Sequence, residues 1–115
     1  MIANLASALR VENTHTTSGT IDKFFDVTVN TTVTLQVKAP ETGSIAAAIL
    51  KYDGGEYEAV DQISRNNGLC GSKTVNLEAN DNSYCLNSIA GITTGEAHAC
   101  AFTSGQVNCC ATTGS

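Results

Sequence analysis

The chain has 115 residues with 11 acidic and 6 basic side chains, a net charge of −5, and only 15% of its residues are charged. That balance excludes a charge-driven disordered tail, and the singly spaced cations (Arg10, Lys23, Lys38, Lys51, Arg65, Lys73) argue against nucleic acid and against an anionic membrane surface, which both need clustered positive charge. Large apolar residues make up about a fifth of the chain, enough for one modest core, and Val plus Ile outnumber Leu about two to one, so branching favours sheet over helix.

The segment from Met1 to Leu9 lacks the basic and apolar regions of a signal peptide, so the protein is either cytosolic or has had its leader removed. Leu9 to Asn13 reads as a first strand, and Thr14 to Thr20 as a polar turn region around Gly19. The clearest pattern runs from Phe25 to Val37. Odd positions are Phe25, Val27, Val29, Thr31, Val33, Leu35 and Val37, while the even ones are polar, which is the period of a strand with one buried face. A two-residue hairpin at Asn30 and Thr31 would mix those faces, so the spacing predicts one long strand bent near Asn30. Lys38 to Ser44, with Pro40 and Gly43, ends it.

Ile45 to Tyr52 is an apolar run followed by Asp53-Gly54-Gly55, a strong hairpin signal, and then Glu56 to Ile63. That return segment is predicted as a strand. A helix competes, because Tyr57, Val60 and Ile63 recur every three residues and Asn67-Gly68 suits a helix terminus. Lys73 to Ala79 alternates again, Asn80 to Ser83 reads as a turn, and Tyr84 to Ile89 as a strand. A loop from Gly91 to Gly95 then precedes the strands Ala97 to Phe102 and Gln106 to Cys110. Seven or eight short strands with turns every dozen residues predict one mainly β domain over residues 1–115, an antiparallel β-sandwich or Greek-key barrel. No apolar run approaches a membrane span.

All five cysteines (Cys70, Cys85, Cys100, Cys109, Cys110) lie in the C-terminal half. In a small, weakly charged chain this reads as a disulfide framework formed in an oxidising, extracellular compartment. If Cys109 and Cys110 lie in a strand, they point to opposite faces and take different partners. The odd thiol is then either buried and inert or exposed and available to bridge a dimer. Neither a C-x-x-C knuckle nor zinc-finger histidine spacing accompanies His98 and Cys100, so no metal and no cofactor are expected.

Asn30-Thr31-Thr32 is an N-glycosylation acceptor. The acids Asp53, Glu56, Glu58 and Asp61 lack the order of a calcium loop and read as a solvated hairpin. No nucleophile elbow or phosphate loop appears, so no catalytic residue is assigned.

Gly68-Leu-Cys-Gly-Ser-Lys-Thr-Val-Asn-Leu, Ser83-Tyr-Cys-Leu-Asn and Ala99-Cys-Ala-Phe-Thr-Ser-Gly together resemble the small secreted cysteine-rich proteins of fungi. The resemblance implies secretion, disulfides and an effector-like role at a host or microbial interface. Some members of that group are similar to βγ-crystallins, from whose calcium loop Asn80-Asp81-Asn82-Ser83 departs after the first pair.

The leading expectation is a secreted, disulfide-stabilised binding protein, not an enzyme, that recognises a host or cell-surface protein. A second reading is a carbohydrate-binding, lectin-like module using Tyr52, Tyr57 or Tyr84. A third is a ribonuclease-like enzyme using His15 and His98 with Arg10, Arg65 and Lys73 near the phosphate.

Overall fold

A computed structural model describes residues 8–111. Eight strands follow in order: β1 (Arg10–His15), β2 (Gly19–Val27), β3 (Thr31–Lys38), β4 (Thr42–Asp53), β5 (Glu56–Asn66), β6 (Cys70–Leu77), β7 (Asn80–Thr94) and β8 (Ala97–Phe102), with a short 3-10 turn at Cys109–Ala111. They form two four-stranded antiparallel sheets, ordered β1-β8-β3-β6 and β2-β7-β4-β5. β1 pairs with β8, β2 with β7, β3 with β6 and β4 with β5. This nesting is the jelly-roll form of the β-sandwich, one long hairpin of four strand pairs wrapped into two sheets.

The centre of that nest is the turn most legible in the sequence. Gly54 and Gly55 both have positive φ, 65° and 99°, and join Asp53 to its cross-strand partner Glu56. Two consecutive positive-φ residues make a primed turn whose twist matches the strands it joins. The return segment is a strand, as predicted. Its apparent helical period comes from a β-bulge: Ile49 pairs with Asp61 and Leu50 with Ala59, leaving Val60 as the extra residue. A bulge shifts the alternation by one, so apolar residues on two faces fall at intervals of three.

The alternating run from Phe25 to Val37 is two strands rather than one bent strand. β2 ends at Val27, Thr28 to Asn30 turn a corner, and β3 begins in the other sheet. Val27 and Val33 both point into the core, because a crossing between facing sheets keeps the inner face inside. At the corner itself Val29 is exposed. The core between the sheets holds Val33, Leu35 and Val37 from β3, Ile45 and Ile49 from β4, and Tyr84 and Leu86 from β7, all essentially inaccessible to solvent.

Three further expectations are corrected. Asn80 to Ser83 is not a turn, since β7 starts at Asn80 and only Glu78 and Ala79 connect it to β6. The expected loop from Gly91 to Gly95 shrinks to Gly95 and Glu96, because β7 stays paired with β4 as far as Thr94. Gln106 to Cys110 is not a strand. β8 is already paired on both edges, with β1 and β3, so the segment that follows cannot return beside it as a hairpin.

Instead, the residues after β8 form a strap over the outer face of the first sheet. Cys109 bonds Cys100 of β8, and Cys110 bonds Cys70 of β6, with Cα separations of 6.3 and 5.8 Å. β8 and β6 flank β3, so the doublet sits astride that strand with one cystine reaching to each side. Gln36 of β3 fixes the saddle point: its Oε1 accepts the Cys110 N–H at 2.9 Å and its Nε2 donates to Ser72 Oγ at 2.8 Å. Cys100, Phe102 and Cys109 make a second small core beneath the strap, with the Arg10 guanidinium 5.6 Å from the Phe102 ring centre. The doublet thus takes two different partners, as expected, though in a 3-10 turn and not a strand.

Candidate functional site

The odd thiol is Cys85, and it is buried. Its cross-strand partners on the outer face of the second sheet are Phe24 and Leu50. Burial pushes this thiol's pKa up, and the Asp22 carboxylate adds to the effect. A protonated thiol without solvent access is unreactive, so a dimer bridged by the odd cysteine is not what this geometry provides.

The two histidines do not converge. Thr14 pairs directly with His98, so these share the outer face of the first sheet, while His15, one residue on, points into the sandwich. Both are buried, at 2% and 3% exposure, leaving no cleft in which they act together. Arg10 is held under the strap, where its guanidinium donates to the Val107 carbonyl, and Lys73 pairs with Asp61 at 2.7 Å on the β5–β6 side. The ribonuclease-like constellation is therefore not assembled. Among the described residues, no three His, Cys, Asp or Glu side chains stand together as metal ligands.

His15 has a structural role. Its Nε2 lies 2.7 Å from Ser88 Oγ, and Asn13 Nδ2 donates to the same hydroxyl at 2.9 Å. The hydroxyl has a second lone pair and a proton, so it can pair with either neutral tautomer of the imidazole. Burial, with a smaller repulsion from His98, holds the His15 pKa below the ordinary histidine range. In the unfolded chain His15 takes up a proton near pH 6.5, before the folded protein does, so stability falls as the pH drops from about 7 through the lowered folded value and then levels off. Asp61 is depressed by its hydrogen bond from Lys73, so its contribution is present above the ordinary carboxylate range and is lost in a separate, lower window. Urea midpoints measured at pH 7 and pH 5.5 are expected to differ clearly for the unmodified protein and much less for His15→Gln.

Asn30 is exposed at the β2–β3 corner, where its Oδ1 accepts the Ala79 N–H at 2.8 Å and ties that corner to the β6–β7 connection. Of the acids around the β4–β5 hairpin, Asp61 is taken by Lys73. Of the three tyrosines, Tyr84 cannot stack on a ligand. It is 1% exposed, lies against Phe25 inside the sandwich, and its hydroxyl donates to the Glu78 carbonyl at 2.7 Å.

Tyr52 and Tyr57 do come together. They are cross-strand partners with ring centres 4.9 Å apart, and Phe24 joins them at 6.2 Å from Tyr57. Phe24 is 58% exposed and Tyr57 45%, so the cluster offers a solvent-facing aromatic edge. The same outer face of the second sheet carries three rows of cross-strand partners. Phe24, Cys85, Leu50 and Ala59 form the row beside the tyrosines; Asp22, Asn87, Ala48 and Gln62 form the next; Thr20, Ile89, Ala46 and Ser64 the third.

Ala46 and Ala48 carry only a methyl group each, which leaves room over the middle of this face. The result is a groove of about 720 Å3 lined by Ala46, Ala48, Gln62, Ser64, Asn87 and Ile89, with Arg65 and Lys73 at its β5–β6 rim. That volume falls within the range of small-molecule sites. Asn87 Nδ2 donates to Asp22 Oδ1 at 2.7 Å, which ties Asp22 to this groove-lining amide from the neighbouring strand. Sequence reading missed Phe24, Asp22, Asn87 and Gln62. Phe24 breaks the alternation as an apolar residue on an even, polar-face position, and that was the one local signal available.

No family model and no curated protein matches this chain. Solved structures similar to it include one described as "CBM4 structure and function", with a TM-score of 0.47 and 14% identity, covering 78% of this chain and 66% of that one. Another is described as "Structure of infectious bursal disease virus Gx strain", with a TM-score of 0.36 and 15% identity over 91% of this chain and 33% of that one.

Proposed function

We propose that this protein is a secreted binding module that takes an oligosaccharide on the outer face of its second sheet. The observation that carries the reading is the juxtaposition of an exposed aromatic edge, Phe24 and Tyr57, with an alanine-floored groove lined by Asn87 and Gln62, beside which Asp22 is hydrogen-bonded to Asn87. Sugar rings present apolar C–H faces that pack on aromatic rings, and hydroxyls that pair with carboxylate and amide side chains. The two cystines support an oxidising, extracellular setting, with Asn30 as a glycan acceptor where the secreting cell is eukaryotic.

A glycan array tests this, followed by titration calorimetry with the strongest ligand. Phe24→Ala and Tyr57→Ala are each expected to weaken binding about tenfold, the loss of roughly 1.4 kcal/mol of ring contact, with the thermal midpoint nearly unchanged. An array with no signal above background would retire the glycan reading. In that case the same aromatic edge remains as the place to look for the host or cell-surface protein of an effector-like role, since large exposed rings are what protein interfaces use as anchors.

A further inference from the structure

Resting on the glycan reading, we infer that the ligand must span at least two consecutive sugar units, and that Asp22 is the residue that selects the second of them. The aromatic row and the Asp22 row are two residues apart along each strand, about 7 Å, more than one ring covers while stacking and hydrogen bonding at once. Within the second row, Asn87 and Gln62 stand on either side of Ala48, two strand spacings or about 10 Å apart. A ring lying over the Ala48 methyl therefore meets polar groups at both of its edges.

The chemistry of those edges differs. Asp22 accepts from Asn87 through Oδ1 and from the Cys85 thiol, and a carboxylate has lone pairs beyond these, so with the Asn87 amide oxygen this edge of the row is one of adjacent acceptors. Two fixed acceptors side by side match two adjacent hydroxyl donors, the vicinal diol of an unsubstituted pyranose. A carboxylate is the stronger of the two acceptors, because a charged partner roughly doubles the strength of a hydrogen bond. Asp22 is the one carboxylate in the three rows and lies on β2, at the edge of the sheet opposite β5 and its Arg65. Gln62, with both a donor and an acceptor, meets the other edge of the ring and discriminates less.

The test is a calorimetric series on the full chain with cellotetraose, xylotetraose, mannotetraose and chitotetraose, each beside its disaccharide and monosaccharide. For whichever tetraose binds, its disaccharide is expected to keep most of the affinity and its monosaccharide to bind at least thirtyfold more weakly. Asp22→Asn keeps the shape of the side chain and is expected to weaken the tetraose at least tenfold while leaving the already weak monosaccharide within twofold. Gln62→Ala is expected to weaken the tetraose less than Asp22→Asn does. A monosaccharide that binds as well as its tetraose would overturn the two-unit site, and an Asp22→Asn protein that binds the tetraose normally would overturn the selecting role. Binding of none of the sugars would instead count against the glycan reading on which this inference rests. Matching circular dichroism spectra and thermal midpoints of the variants separate these outcomes from misfolding.

Discussion

A Cys70→Ser, Cys110→Ser double variant is expected to lose about 4 kcal/mol of folding stability and to melt roughly 15–30 °C lower. The cystine joins residues 40 apart in sequence, and releasing it returns the closure entropy of that loop to the unfolded chain. Removing Cys100–Cys109, whose partners are 9 apart, is expected to cost less, about 2.7 kcal/mol. Scanning calorimetry on the two double variants checks the order as well as the size. Loop closure predicts the longer bridge to matter more, whereas a reversed order would place the stabilisation in the packing of Cys100, Phe102 and Cys109 beneath the strap. An unchanged midpoint in both variants would mean that the strap contributes nothing to the fold.

Gly43→Ala is expected to be comparably damaging through an unrelated mechanism. Gly43 lies at the register shift between Thr42 and Gly43, with φ at 139°, and pairs with the far end of β7. An added Cβ would overlap the Gly91 carbonyl oxygen and come within 2.9 Å of Pro40 Cγ. Neither obstacle is a flexible side chain end, so the backbone must move. Backbone strain and overpacking each cost about 1–3 kcal/mol, which puts the total near 4 kcal/mol. Urea unfolding of Gly43→Ala beside Gly54→Ala separates these terms. Gly54 has positive φ but open space around a Cβ, so it carries the conformational cost alone and is expected to lose only about 1 kcal/mol. Equal losses in the two variants would rule out the steric account at Gly43.

The groove's response to mutation has a different character. Phe24, Asp22 and Gln62 are exposed residues on an outer face, so their replacement is expected to change binding and leave stability nearly unchanged. That contrast with the cystines and Gly43 is itself a check that the outer face of the second sheet is a working surface and not part of the core.

Local features were legible wherever one strand and its turn determine the outcome. The run from Phe25 to Val37 announces an inner face because side chains alternate along a strand, and Gly54-Gly55 announces the central hairpin because only glycine adopts two positive φ values freely. Cysteine density announced disulfides, and β-branching announced sheet. Where one strand hands over to another, those rules give no answer. Alternation survives the corner at Thr28 to Asn30, so it cannot distinguish a bent strand from a crossing between sheets, and the bulge at Val60 imitates a helical period.

The pairing of cysteines is a non-local fact. Cys109 and Cys110 choose Cys100 and Cys70 because β8 and β6 flank β3, an order set by how the long hairpin wraps. The candidate site is non-local for the same reason. Asp22, Asn87, Ala48 and Gln62 come from four strands and share a row only through register. By itself the sequence determined a small β domain held by cystines, with polar faces available for binding. Only the tertiary structure decided which face is covered by the strap and which carries the groove, because that depends on contacts between residues far apart in the chain.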